Sequence, residues 1–171
     1  MSLADVKQSI HMKKFGSLFL LLALVAVPAA NVEAKKPGET IVDIVLTDDG
    51  EFDVLQAAVI KADLVDALNG KRPYTVFAPT DQAFVDTLEV SDEAEAIATV
   101  ESLPVEDLTN ILLYHVTNGK RYSQSVLGAS QYRMLNRDFL TKSELAAAGI
   151  ATTDIKASNG VIHVIDSVLM P

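Results

Sequence analysis

The chain has 171 residues, of which 49% are apolar and none is cysteine, and its formal net charge is −9. That is enough apolar material for a core that needs no cross-links, and the lack of cysteine excludes disulfides, thiolate metal sites and acyl anchoring at a processed cysteine. The acidic balance repels phosphate backbones and anionic lipid headgroups, which argues against nucleic acid as a partner.

Lys13 and Lys14 precede an apolar run from Phe15 to Val27, small residues follow, and Val32-Glu33-Ala34 has the small-x-small character of a processing site. This is the order of a secretory signal. Cleavage is expected after Ala34, with Ala30 as second choice, so the protein is exported and is periplasmic or secreted. The run is shorter than the about 20 residues a bilayer span needs, so no stable membrane anchor is expected after cleavage. Residues before Met12 fit the signal poorly, which makes Met12 an alternative start. Residues 1–34 are read as the signal peptide, 35–39 as a flexible lead through Pro37-Gly38, and 40–171 as one domain.

Thr40 to Leu46 is apolar and ends in the turn or cap cluster Thr47-Asp48-Asp49-Gly50. Phe52, Leu55, Val59 and Ala62 recur at helical spacing, and Leu64, Val65 and Leu68 extend the pattern to Asn69-Gly70. Asp48, Asp49, Glu51 and Asp53 complement the start of that helix, and they lack the roughly twelve-residue loop of a calcium site. Tyr74 to Ala78 predicts a strand delivered into Pro79, with Thr80 as N-cap of a helix from Asp81 to Leu88. Glu89 to Glu101 reads as a solvated helical or looped insertion. Pro104 opens a further helix, with Leu108, Ile111, Leu112 and His115 on one face and Asn118-Gly119 as its stop. Tyr122 to Leu127 suggests one more helical turn.

From Gln131 onward short apolar stretches are separated by polar turns. Asn159-Gly160 predicts a hairpin joining Ile155–Ala157 to Val161–Ile165, with positive φ at both turn positions. Ser167 to Met170 is read as a terminal strand before Pro171. Helices dominate the first half and strands the second, which argues for an α+β fold.

Three runs stand out. Thr75-Val76-Phe77-Ala78-Pro79-Thr80-Asp81-Gln82-Ala83-Phe84 is a strand-to-helix junction bracketed by two phenylalanines. Leu112-Leu113-Tyr114-His115-Val116 closes a helix. Asn159-Gly160-Val161-Ile162-His163-Val164-Ile165-Asp166-Ser167-Val168-Leu169-Met170-Pro171 closes the chain. In this order and at these separations they resemble the two signature boxes and the central tyrosine-histidine motif of the fasciclin domain family, with Asp81 where many members have Asn. The resemblance covers about Thr40 to Pro171.

It implies a β-sandwich or wedge with a packed layer of helices, and a role as an extracellular interaction module in cell adhesion or matrix contact. Thr75, Phe77, Pro79, Thr80, Asp81, Phe84, Asn159, Gly160, His163 and Asp166 are then structural signature residues. Tyr114, His115, Asp154 and Ile155 match segments that contact integrins in animal members. Lys156 stands where those segments carry an apolar residue, so a different extracellular protein or polysaccharide is the expected partner. Some members bind apolar pigments. A second reading is therefore a carrier of a carotenoid or lipid, held in a cleft between helices and sheet.

His115 lies on an apolar helix face and His163 in an apolar strand, so both are expected to be buried and to tie helix to sheet. No second His or carboxylate stands three or four residues from His115 on its helix, and no metal site is expected. Nucleophile elbows, phosphate loops and metalloprotease motifs are absent. His163, Asp166 and Ser167 are close in sequence, but strand alternation turns Asp166 away from His163. The expectation is a protein without catalysis or cofactor.

Overall fold

A computed structural model of the chain describes residues 38–47 and 50–171. The signal peptide, Met12 and most of the lead lie outside the described residues, as do Asp48 and Asp49.

The first element, α1 (Ile41–Thr47), is short and nearly all apolar, with Ile41, Val42, Ile44 and Val45 buried. Its start is fixed by a reciprocal cap. The Asp43 carboxylate accepts from the Thr40 N–H at 2.9 Å, and the Thr40 hydroxyl accepts from the Asp43 N–H at 3.2 Å. The single helix expected from Phe52 to Leu68 is two. Helix α2 (Asp53–Lys61) stops because Asp63 adopts a left-handed φ of 55°, and α3 (Val65–Leu68) is one further turn.

Strand β1 (Tyr74–Pro79) runs directly into α4 (Asp81–Leu88), where the Thr80 hydroxyl accepts from the Ala83 N–H at 3.2 Å. The segment read as a solvated insertion contains α5 (Glu93–Ser102), which buries Ala96 and Val100 and packs on α2 and α4. Helix α6 (Val105–Tyr114) follows Pro104 and ends at Tyr114. The chain does not continue helically to Asn118, because Val116–Asn118 pairs with β1 as β2.

Helix α7 (Ser123–Gly128) leads to a two-stranded ribbon of β3 (Gln131–Arg133) and β4 (Phe139–Thr141). Helix α8 (Lys142–Ala147) begins in a capping box between Thr141 and Glu144. Strands β5 (Ile150–Ala157) and β6 (Gly160–Ile165) form the expected hairpin.

The main sheet has the order β2-β1-β6-β5, with β1 and β6 parallel and the outer pairs antiparallel. The two central strands are buried along their whole length, as expected where both sheet faces are covered. Period-two alternation divides the core. Val76, Ala78, Ile162 and Val164 face one cluster with α1, α2 and α6, together with Phe84 of α4 and Val100 of α5. Phe77 and Ile165 face a second cluster with Tyr114, Val126, Tyr132, Met134, Leu140, Leu145 and Leu169. Helices thus cover one face, and the ribbon with α7 and α8 covers the other. The fold is α+β.

Two local expectations are corrected. Ser167–Met170 is not a strand. It is irregular chain anchored by buried Leu169, whose N–H is bonded to His115. The hairpin turn is Ser158-Asn159, Gly160 is the first residue of β6, and neither Asn159 nor Gly160 has positive φ. Glycine is required at 160 for a different reason. A Cβ there would meet the Tyr74 carbonyl oxygen of the neighbouring strand and the Ile41 Cδ1 of α1. Gly160→Ala is therefore expected to lose about 1–3 kcal/mol by overpacking, read as a lower urea midpoint. Wild-type stability in that variant would show that α1 is not seated on β6 at this point.

Candidate functional site: the signature residues

The three runs singled out in the sequence meet on and around the two central strands, and most of their polar side chains are bonded inside the protein. Asp81 is 7% exposed, and its two carboxylate oxygens accept from the Asp53 N–H at 3.1 Å and the Val54 N–H at 2.9 Å. Its own N–H donates to the Glu51 carbonyl at 3.1 Å. The sequence placed the acids of segment 48–53 as the cap of the second helix. Yet Phe52 at the N-cap position offers no side-chain bond, and the first amides of α2 are satisfied from α4 instead. Asp81 is thus a stitch between two helix starts.

Asn159 plays the matching part at the other end of the sheet. Its buried amide accepts from the Ile41 N–H at 2.8 Å and donates to the Leu68 carbonyl at 2.8 Å and the Gly70 carbonyl at 3.3 Å. One side chain therefore closes the start of α1 and the end of α3. Asn-Gly carries a strong local turn signal, whereas the partners of Asn159 lie 118 and 91 residues away in the sequence.

A second network ties β1, β5, β6 and the segment 119–123. The Thr75 hydroxyl donates to the Gly119 carbonyl at 2.7 Å and accepts from the Arg121 N–H at 2.8 Å. The Arg121 carbonyl accepts from His163 Nε2 at 2.8 Å, and His163 Nδ1 accepts from the Asp154 N–H at 3.3 Å. Those partners fix His163 as the Nε2–H tautomer. Its ring stacks on Phe77, the residue facing it in the parallel register, with centroids 5.7 Å apart.

Asp154 sits at an irregularity of β5 with φ 63°. Its carboxylate accepts from the Ser123 N–H at 2.7 Å and the Ser123 hydroxyl at 2.6 Å. The hydroxyl is the main reason the carboxyl lies below its ordinary value. Ser123, Asp154 and His163 superficially suggest a hydrolytic trio, but the connections differ. The serine donates to the aspartate, and the histidine meets only backbone groups, so no base faces a nucleophile.

Tyr114 and His115 are 4% and 3% exposed. The Tyr114 hydroxyl donates to the Phe139 carbonyl at 3.3 Å. His115 Nδ1 donates to the Ile111 carbonyl at 2.8 Å, one turn back on its helix, and its Nε2 accepts from the Leu169 N–H at 2.9 Å. The ring is neutral, and burial pulls its pKa down to about 4. Ile155 is half-buried against the first core cluster. Of the four residues matched to partner-contacting segments, two are thus enclosed and a third holds α7. Asp166 is exposed, and its N–H bonds to the Ala148 and Gly149 carbonyls at 3.2 and 3.3 Å.

The cleft expected between helices and sheet is lined by Ile41, Val45, Leu55, Leu68, Val76 and Leu112 among others, and encloses about 30 Å³. That is about the volume of one water molecule, against roughly 300–1,000 Å³ for small-molecule sites. One feature gave no sequence signal. Asp53, Asp81 and Glu93 bring their carboxylate oxygens within 4.8 Å of one another at the start of α2, although they come from three separate helices. Burial, then the charges of Asp81 and Asp53, raises the Glu93 pKa. Among the described residues, no helix is long and apolar enough to cross a membrane.

Comparison with known proteins gives the same family as the three runs. The model described as Fasciclin domain matches residues 50–171. Protein sll1483 of Synechocystis sp. is 39% identical over 142 residues, covering 77% of this chain and 73% of that protein. The transforming growth factor-beta-induced protein ig-h3 of Sus scrofa is 32% identical over 164 residues, 92% of this chain but 22% of that protein. The fold is shared with a solved FAS1 domain pair from the insect cell adhesion molecule Fasciclin I. The TM-score is 0.53 at 18% identity, over 78% of this chain and 51% of that one. The chain belongs to the fasciclin domain family.

Proposed function

We propose that this chain is an exported, non-catalytic interaction module that binds an extracytoplasmic protein or polysaccharide in an adhesive or matrix-like role. The carrying observation is that the chemistry-bearing signature side chains, Thr75, Asp81, His115, Asp154 and His163, already have their polar atoms bonded within the fold. They build a rigid body and offer nothing to a reaction, which leaves recognition to the outer surface. Family membership supports the same reading, and Lys13-Lys14 with the following apolar run supports export. The apolar-carrier reading would need α1–α3 to part from the sheet, since the cleft as it stands has room for about one water.

The test is retention of purified protein on cell-envelope and matrix fractions of its source, with native mass spectrometry and an absorption spectrum alongside. Saturable retention with a bare mass and no visible absorption is the expected result. A stoichiometric apolar adduct without retention would replace this reading with the carrier.

A further inference from the structure

Helices α2 and α5 pack side by side and leave an open groove of about 750 Å³ on the outer surface. Its floor is aliphatic, formed by Ala57, Ile60 and Ile97, and Ile60 is 56% exposed. Asp53 and Glu93 stand at one end, and Glu101 stands near the close of α5. Lys61 lines the same groove, but its ammonium is turned to the last turn of α5. There it donates to the Val100 carbonyl at 3.3 Å, the Leu103 carbonyl at 2.6 Å and the Glu101 carbonyl. It satisfies a helix C-terminus and does not neutralise the acids at the far end. Asp81, behind Asp53 and Glu93, has both oxygens on the first amides of α2, which stabilise its charge, so the acids left facing the groove are Asp53 and Glu93.

We propose that this groove docks a segment of a partner protein that carries a lysine or arginine beside an aliphatic side chain. An aliphatic floor with a polar rim is the usual anatomy of a protein contact, and here the end of the rim away from Lys61 is acidic. A cation placed between Asp53 and Glu93 relieves the mutual repulsion of three carboxylates, and an adjacent aliphatic group removes Ile60 from water. A divalent ion would answer the charge alone and would leave Ile60 exposed. Docking should weaken with salt, since the steering charges lie at the surface. The inference rests on the interaction reading above and names the surface and the chemistry of the partner.

The experiment uses the isotopically labelled protein, a synthetic peptide of lysine and leucine as probe, and calcium chloride as a separate probe. Amide shifts on peptide addition should centre on Asp53, Ala57, Ile60, Glu93 and Ile97. Ile60→Asp and Glu93→Gln should each weaken binding on the order of tenfold while the rest of the spectrum stays in place. Shifts spread over the acidic surface, or unchanged affinity in both variants, would overturn the proposal. So would calcium shifting Asp53 and Glu93 when the peptide does not, which would make this an ion site. The envelope-retention assay separates the two readings. Wild type and Ile60→Asp retained equally would remove the groove and leave the interaction module standing. Failure of the wild type to be retained at all would remove the module, and the groove with it.

Discussion

Phe77→Ala is expected to cost about 3–5 kcal/mol of folding free energy, a large fraction of the stability of a domain this size. Phe77 is fully buried on a central strand and is among the largest enclosed side chains. Its ring fills the second core cluster between the sheet and Tyr114, Tyr132 and Leu140, and it stacks on His163. Its N–H is held by the His115 carbonyl at 2.9 Å, and its strand is paired on both sides. The backbone therefore has little room to collapse into the space left behind, which places the cost toward the upper end for aromatic truncation. Urea unfolding should show a lower midpoint with an unchanged slope. A loss below about 1 kcal/mol would contradict the placement of Phe77 in the core.

The second large effect is acid destabilisation through His115. In the folded protein this imidazole is neutral with a pKa of about 4, against 6.5 for the free side chain. Between those values the unfolded chain binds a proton that the folded protein does not, so stability rises with pH across that window. The contribution is complete above pH 6.5 and is lost progressively as pH falls toward about 4. Its full size is on the order of 3 kcal/mol. Protonation also places a second N–H on Nε2, opposite the Leu169 N–H, so the C-terminal segment should loosen first.

Asp43, Glu144 and Asp154 lie below ordinary values of 3.8, 4.5 and 3.8. They give up their own contributions only as the pH falls through and below the carboxylate range. From pH 6.5 downward the profile carries the His115 contribution, opposed only by Glu93, whose raised pKa makes the folded protein bind its proton first. His115→Gln should flatten the stability profile there. A profile of unchanged slope in that variant would assign the proton uptake elsewhere.

Signals that act locally are legible in the sequence. Tyr74–Pro79, Thr80 as cap and Asp81–Leu88 are visible because strand, cap and helix period lie within one short run. The capping box Thr141-Lys142-Ser143-Glu144 is a local signal of the same kind, and it opens α8 within the segment expected to hold only short apolar stretches and turns. The end of α6 was placed too late because Val116 and Thr117 continue an apolar texture. Strand pairing to β1, which sequence period cannot show, takes those residues out of the helix.

The long-range partners were beyond any local reading. Asn159 looked like a turn residue and is a clamp on α1 and α3. Asp81 looked like part of its own helix start and caps another. The family resemblance matches the tyrosine-histidine pair to a contact segment, whereas the apolar helix face of His115 predicts burial, and the fold encloses both residues. The groove between α2 and α5 draws its acids from segments that sequence analysis treated separately, so only the fold assembles it.

Whether the signature side chains are bonded inside the fold is measured most directly by a long-range ¹H–¹⁵N spectrum of the histidine rings followed with pH. It should show His115 as the Nδ1–H tautomer with a midpoint near 4, and His163 as the Nε2–H tautomer at neutral pH. A His115 ring that exchanges tautomers freely and titrates near 6.5 would be open to solvent and would contradict the account.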